Sequence, residues 1–213
     1  MATTRAVVQT AALFIVALLA TGSVLMAAPQ VANGSFEADA YSRSPGLCAQ
    51  HGNQITGWKA LGNVGINPVW KDPEKRSGPV SPFYDNGVIP HGRQVALIQG
   101  PGSIKQRVAG FEKGHRYVVT FRENGRVQRQ GDGWPVVRVR LGERVIVSPH
   151  EVPPVARKDE YHVPFARVVS AVFAAPEDGE LDLVIETIQE LRTTTVFLDD
   201  IRIQELREGQ DAP

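Results

Sequence analysis

The sequence predicts an all-β fold, an antiparallel sandwich or barrel, and three observations support this prediction. Short runs in which apolar and polar residues alternate recur along the chain, as in strands with one buried face. Glycine, proline and acidic clusters separate these runs, and no helical segments lie between them. Strands that follow one another without intervening helices pair antiparallel and close into a sandwich or a barrel.

Seven runs along the chain have the alternation of a half-buried strand. They cover 94–100, 102–110, 115–126, 135–147, 163–175, 179–188 and 193–203. The third run places Tyr117, Val119 and Phe121 on one face. The fourth run predicts a hairpin, because Gly142-Glu143 forms a turn between two alternating segments.

The region 38–93 differs from the rest of the chain. It is rich in glycine, proline and asparagine, and it has little periodicity apart from ITGWKA (55–60). We interpret it as long loops with a few short strands. Loops of this length on a compact domain are often functional, and disorder in part of the region is the alternative.

The first 28 residues have the layout of a secretory signal peptide, a short apolar helix. Arg5 precedes the apolar run 11–20, and small residues follow this run. An uncleaved anchor is the alternative, since Leu25 or Met26 would lie where a small residue is preferred. We expect a secreted, periplasmic or cell-surface protein, with membrane contact only if the segment is uncleaved. The expected boundaries are 1–28 for the signal peptide, 29–206 for one sandwich domain and 207–213 for a disordered tail.

Charge and cysteine content exclude several classes of function. The 23 basic and 23 acidic residues give a formal net charge of zero, so neither nucleic acid nor anionic lipid is an expected partner. Cys48 is the single cysteine, so no internal disulfide can form and packing must hold the fold together. Basic residues predominate in 113–144 and acidic residues from Glu177 onward, which predicts neighbouring strands that neutralise each other, with a dedicated anionic-ligand patch as the alternative.

The stretch VFLDDIRI (196–203) combines a strongly apolar strand with two adjacent carboxylates. Regular alternation places Asp199 on the face of Phe197 and Ile201, and Asp200 on the opposite face. A carboxylate that faces a core is costly unless it is paired, hydrogen-bonded or bound to a metal. Asp199 is therefore predicted to have a partner that the local sequence does not supply.

The order of four segments carries more information than any one of them. The predicted mature chain opens with NGSFE (33–37), continues through ITGW (55–58) and 94–126, and closes with VFLDDIRI. This series resembles the galactose-binding-like jelly-roll superfamily, and within it the carbohydrate-binding modules of the family 4/9/22 type and the DUF642-like extracytoplasmic domains. The resemblance implies a jelly-roll β-sandwich of two antiparallel sheets, no catalytic centre, and often a structural calcium ion that ties the first strand to the last.

The resemblance also implies which residues would bind calcium. It assigns Glu37 and Asp199 as ligands, with Asp200 as a less likely substitute. Calcium takes six to eight oxygen ligands, which two carboxylates and backbone carbonyls can supply. The alternative is that Asp199 accepts hydrogen bonds from backbone amides or from an arginine.

Aromatic and arginine side chains are the candidate ligand-binding residues. Sugar rings stack on exposed aromatic rings, so Trp70 and Trp134, with Tyr84 behind them, are the stacking candidates, although a loop tryptophan also often plugs the end of a sandwich. Trp58 is assigned to the core. Four arginines are predicted on one sheet face, where their forked side chains could bind a sugar acid such as a uronate: Arg122, Arg126, Arg138 and Arg140. Cross-strand pairing to Glu186 or Asp182 is the favoured alternative.

No motif for catalysis stands out in the sequence. The five histidines are scattered without metal-ligand spacing, and neither a GxSxG elbow nor a phosphate-binding loop is present. Asp199 and Asp200 point to opposite faces and cannot act as a glycosidase pair. We therefore expect an exported, non-catalytic module that binds carbohydrate of the cell wall or extracellular matrix. A structural or adhesive surface protein that contacts other proteins is the alternative.

Overall fold

The computed structural model describes residues 27–39, 55–68, 88–127, 133–153, 165–189 and 194–213, and these segments form an all-β domain. Nine strands are present, and these ranges contain no helix that could cross a membrane. The strands are β1 (Lys59–Pro68), β2 (Gln94–Phe111), β3 (Arg116–Val127), β4 (Val136–Leu141), β5 (Arg144–Glu151), β6 (Ala166–Val169), β7 (Phe173–Ala174), β8 (Gly179–Thr187) and β9 (Thr194–Leu206). The all-β prediction is confirmed.

The long strand β2 connects two antiparallel sheets. Its first part, 94–99, pairs with β9, and its second part, 102–111, pairs with β8, while β1 pairs along both parts. We call the sheet formed by 94–99, β9, β3, β6 and β7 the β3 sheet, and the sheet formed by 102–111, β8, β4 and β5 the β4 sheet. A Cβ on Gly62 would lie 2.5 Å from the carbonyl oxygen of Pro101, so glycine is needed where β1 crosses the corner.

The main core lies between the two sheets. Val119 and Leu198 of the β3 sheet and Val139 and Ile185 of the β4 sheet are fully buried in one hydrophobic cluster. Burying a side chain of this size contributes about 1.5–3 kcal/mol. Trp58 is 4% exposed and belongs to the same cluster, so its assignment to the core is confirmed.

Strand β9 does not have the regular alternation that the sequence predicted. Leu198 and Ile201 both lie in the main core although they are three residues apart. Asp200 has a φ of 51°, and the pairing with β3 shifts so that Asp200 and Ile201 together oppose Phe121. This is a β-bulge. Asp199 therefore lies on the face opposite the main core, yet it is fully buried.

Other element boundaries also differ from the predictions. Strand β1 has ten residues, whereas the sequence indicated only 55–60. Its residues 64–67 are all buried, so it lacks the apolar and polar alternation that marks a half-buried strand. The runs 94–100 and 102–110 form one strand, and 163–175 contains two short ones. The hairpin around Gly142-Glu143 is confirmed by the pairing of β4 with β5.

Candidate functional site

The N-terminal segment NGSFE packs against the bulge of β9. The Ile201 N–H donates to the carbonyl of Gly34 over 2.9 Å, and a Cβ on Gly34 would collide with the Ile201 carbonyl oxygen. Only glycine permits this close approach of two backbones. The two motifs at the ends of the domain therefore meet, although NGSFE forms turns here and not a strand.

Asp199 has backbone amides as partners. Its Oδ2 accepts a hydrogen bond from the His91 N–H (2.8 Å), and its Oδ1 accepts one from the Asp200 N–H (2.7 Å). Burial, together with the nearby carboxylates of Asp200 and Glu37, raises the pKa of Asp199 to about 7. The hydrogen-bonded alternative for this residue is thus what the structure contains.

The other two predicted calcium ligands also have partners. Glu37 Oε1 accepts hydrogen bonds from the backbone N–H groups of Arg93 (2.8 Å) and Gln94 (3.1 Å). Asp200 Oδ1 lies 2.6 Å from the Arg202 guanidinium. Among the described residues, no group of three or more His, Cys, Asp or Glu side chains could hold a metal ion. The predicted ligand set was two carboxylates with backbone carbonyls, and calcium binding stays an untested prediction.

The aromatic stacking candidates are only partly described. Trp134 is 41% exposed and lies just before β4. Trp70 and Tyr84 lie outside the described residues. Of the three candidates, the surface position is thus known for Trp134, and the stacking prediction stays untested.

The predicted single arginine face is wrong. Strands β8, β2 and β9 lie between β4 and β3 in the sheet order, so Arg138 and Arg140 lie on a different sheet from Arg122. For Arg126, only the backbone is described, and it pairs with Thr195 on the β3 sheet. The prediction fails because β3 and β4, although consecutive in the chain, are not neighbours: the chain crosses between the sheets after β3.

The arginines of the β4 sheet are neutralised by acids of β8. The Nε groups of Arg138 and Arg140 donate to the same Glu186 oxygen over 3.1 and 2.8 Å. Partial burial opposes ionisation of Glu186, yet the two guanidiniums hold the pKa of this carboxyl below its usual range. On the same face, Lys105 lies 2.6 Å from Asp182. The predicted cross-strand pairing is confirmed for this face.

The outer face of the β3 sheet contains a groove of about 470 Å³. We call it the arginine groove, and its lining residues are Thr120, Phe121, Arg122, Arg167, Asp200, Arg202, Ile203 and Gln204. Arg122 on β3 and Arg167 on β6 stand directly opposite each other in the antiparallel pairing. Within the described segments, neither guanidinium has a hydrogen bond or an ion pair.

Two charged groove residues were not predicted as site residues. Arg167 belongs to the four-residue strand β6, and Arg202 follows the bulge in β9. Both are charged residues within apolar runs, which was the one signal that could have drawn attention to them. Their convergence on Arg122 depends on strand pairing between distant segments, and spacing along the chain does not reveal it.

A buried acid and a histidine form a second polar site, inside the sandwich. Glu123 is 4% exposed, and its Oε1 lies 2.7 Å from Nε2 of His150, which reaches it from β5 of the facing sheet. The bond to Glu123 raises the pKa of His150 against the opposing effect of burial, and the Ser148 carbonyl near Nδ1 adds to the rise. In the described structure, Glu123 Oε2 is buried without a hydrogen-bond partner.

Comparison with known proteins bears on the fold. No protein-family model matches the sequence, and no curated protein matches it. The Stig cyclase FisC from Fischerella sp. TAU, solved with a pyrrolidinylidene-indole, superposes with a TM-score of 0.55 at 19% identity and covers 84% of this chain and 97% of its own. The apo form of a cyclase from Fischerella sp. gives 0.54 at 20% identity, covering 81% and 93%. A CBM61 domain bound to β-1,4-galactotriose gives 0.47 at 14% identity, covering 81% and 95%.

The two cyclase structures confirm the jelly-roll fold that the sequence resemblance implied. At 19–20% identity they show the shared fold alone. They also correct one prediction. The expectation that the domain is not an enzyme is contradicted, because the cyclases that share this fold are enzymes. A jelly roll therefore gives no ground for excluding catalysis.

Proposed function

We propose that this chain is an exported carbohydrate-binding protein whose ligand binds in the arginine groove. The observation that carries the proposal is the groove itself, a concavity of about 470 Å³ that lies on paired strands. Ligand sites of this kind typically have volumes of about 300–1,000 Å³. The proposal of export comes from the signal-peptide layout of the first 28 residues.

The chemistry of the groove lining supports a sugar ligand. A sugar ring has an apolar C–H face surrounded by hydroxyl groups, so it needs apolar surface and several hydrogen-bond donors and acceptors. Thr120 and Gln204, which line the groove, can both donate and accept hydrogen bonds. The guanidinium groups add rigid planar donors.

The strands that form the groove also support binding, because they hold the site in one geometry. Residues 116–127 of β3 pair with 194–206 of β9 along nearly their whole length, and β6 pairs with the other edge of β3. Side chains on paired strands need little reorganisation when a ligand binds. The described residues of the proposed site thus all lie on paired strands.

A glycan array with a groove-filling variant tests the proposal. Gln204 is exposed and lines the groove, so Gln204→Trp should fill the space without disturbing the core. Val145 on β5 is 43% exposed on the other sheet and provides the matched control, Val145→Trp. We expect the protein to retain at least one glycan, Gln204→Trp to weaken that binding at least about tenfold, and Val145→Trp to leave it unchanged. Retention of no glycan, or equal binding by Gln204→Trp and the wild type, would contradict the proposal.

A further inference from the structure

We propose that the arginine groove selects acidic polysaccharides, and that Arg122 and Arg167 together bind an oxyanion on the sugar chain. The oxyanion is the carboxylate of a uronic acid or the sulfate of a sulfated sugar, which share the same chemistry toward guanidinium groups. The inference rests on the proposed carbohydrate function and names the class of glycan. It concerns a pair of residues brought together by β3 and β6.

The first step is the cost of placing Arg122 opposite Arg167. Side chains directly opposite in an antiparallel pair have Cβ atoms about 4.5–5.5 Å apart, and like charges in this position destabilise the sheet. An acid at either position would form an ion pair. A protein that keeps two arginines here gains nothing for its fold, which indicates that the pair serves a ligand of opposite charge.

The second step is that the nearby acids already have other partners. Asp199 pairs with Arg122 in the β9 register, but its carboxylate is buried and accepts two backbone N–H groups. Asp200 is the acid that lines the groove, and it binds Arg202. Glu123 is the chain neighbour of Arg122, and it bonds to His150 in the interior. Among the described residues the groove thus has three guanidiniums and one carboxylate.

The third step is the geometry that guanidinium groups favour. Each guanidinium presents parallel N–H donors that match the two oxygens of a carboxylate or two oxygens of a sulfate, and such charge-assisted pairs are stronger than neutral hydrogen bonds. Arg202 also lines the groove, but Asp200 already holds it. Arg122 and Arg167 remain for the acidic group.

Isothermal titration calorimetry on the full chain tests this inference with paired polysaccharides. Polygalacturonate is compared with the same polymer after its carboxyl groups are reduced to alcohols, and dextran sulfate is compared with dextran. We expect at least about tenfold tighter binding to the acidic member of one pair, because charge-assisted hydrogen bonds are stronger than neutral ones. Preference for polygalacturonate identifies a uronate, and preference for dextran sulfate identifies a sulfate ester.

Three variants locate the binding. Arg122→Gln and Arg167→Gln should each weaken binding of the acidic polymer about tenfold or more. Arg122→Lys keeps the charge but loses the planar fork, so it should fall between Arg122→Gln and the wild type. Arg107→Gln is the control, because Arg107 is an exposed cation already paired with Glu180 on the β4 sheet.

Specific outcomes separate failure of this inference from failure of the proposed function. Equal binding of acidic and neutral polymers, lost in Gln204→Trp, overturns the acidic preference and leaves carbohydrate binding intact. Equal binding of polyglutamate and polygalacturonate, or an equal loss in Arg107→Gln and Arg122→Gln, shows attraction to charge alone and overturns the inference. Binding of no polysaccharide overturns both.

Discussion

The outer faces of the two sheets both carry arginines, but in opposite electrostatic situations. On the β4 sheet, Arg138 and Arg140 share Glu186, which β8 brings between them. On the β3 sheet, Arg122 meets Arg167, which β6 brings opposite it. The comparison shows that an arginine's role depends on which strand lies beside it. One face uses its arginines to join strands, and the other leaves them available to a ligand.

The largest expected effect comes from Asp199, which lies opposite Arg122 in the strand register but does not neutralise it. Asp199→Ala removes the acceptor for the N–H groups of His91 and Asp200, and it should lower the free energy of unfolding by about 3 kcal/mol. Because Asp199 is not a partner of Arg122, affinity of the folded protein for acidic polysaccharide should not change. Urea denaturation and calorimetry measure the two quantities.

Asp199→Asn is the companion variant, since it keeps one acceptor oxygen and should cost less than Asp199→Ala. Equal costs would show that the two backbone hydrogen bonds do not account for the effect. Unfolding in the presence of calcium and of a chelator tests the predicted cation in the same samples. If calcium binds Glu37, Asp199 and Asp200, it should raise the melting temperature of the wild type, and Asp199→Ala should abolish the increase.

A smaller loss is expected on the β4 sheet. Glu186→Gln removes the charge shared by Arg138 and Arg140, which should lower the free energy of unfolding by about 1 kcal/mol, because these groups are partly exposed. It would also create a second unneutralised arginine pair. If this variant gains affinity for polygalacturonate, unpaired arginines alone suffice for binding. We expect no gain of more than about twofold, since the wild-type groove provides shape as well as charge.

The fold class was predictable from the sequence because alternation within single strands is a local signal. The β4 to β5 hairpin and the burial of Trp58 follow from the same local information. The bulge at Asp200 was not predictable, since a single residue with positive φ changes the face of every later side chain in β9.

The candidate site was less predictable, because it depends on pairing between distant segments. Arg122 was identified, but its partner Arg167 lies 45 positions further along the chain, and strand order alone decides that they meet. Glu123 and His150 meet across the sandwich for the same reason. The acids that neutralise the β4 sheet were foreseen because charge segregation is visible along the sequence, but the unneutralised pair has no such signature.

The Glu123 and His150 contact joins the two sheets, and its strength should depend on pH. The pKa of His150 is raised in the folded protein, so its stabilising effect is complete below the unfolded pKa of about 6.5 and is lost as pH rises through the folded value. We expect a loss below about 1 kcal/mol between pH 6 and pH 9. His150→Gln, compared with the wild type by urea denaturation across this range, should lack that part of the loss. Parallel pH profiles of the wild type and His150→Gln would show that the contact does not contribute to the pH dependence of stability.

The smallest expected change in stability comes from replacing one arginine of the groove pair by an acid. The outer face of the β3 sheet would then be neutralised like that of the β4 sheet. Arg167→Glu places an acid opposite Arg122, and the resulting cross-strand ion pair should raise the free energy of unfolding by about 0.5 kcal/mol. The same substitution should abolish binding of acidic polysaccharide, because the groove then contains its own anion and Arg122 is no longer available. Gain of stability together with loss of binding would show that the wild-type sequence keeps the unfavourable pair for its ligand. If Arg167→Glu instead destabilises the fold, the two arginines are held by contacts that favour them, and the reason for expecting an anionic ligand disappears.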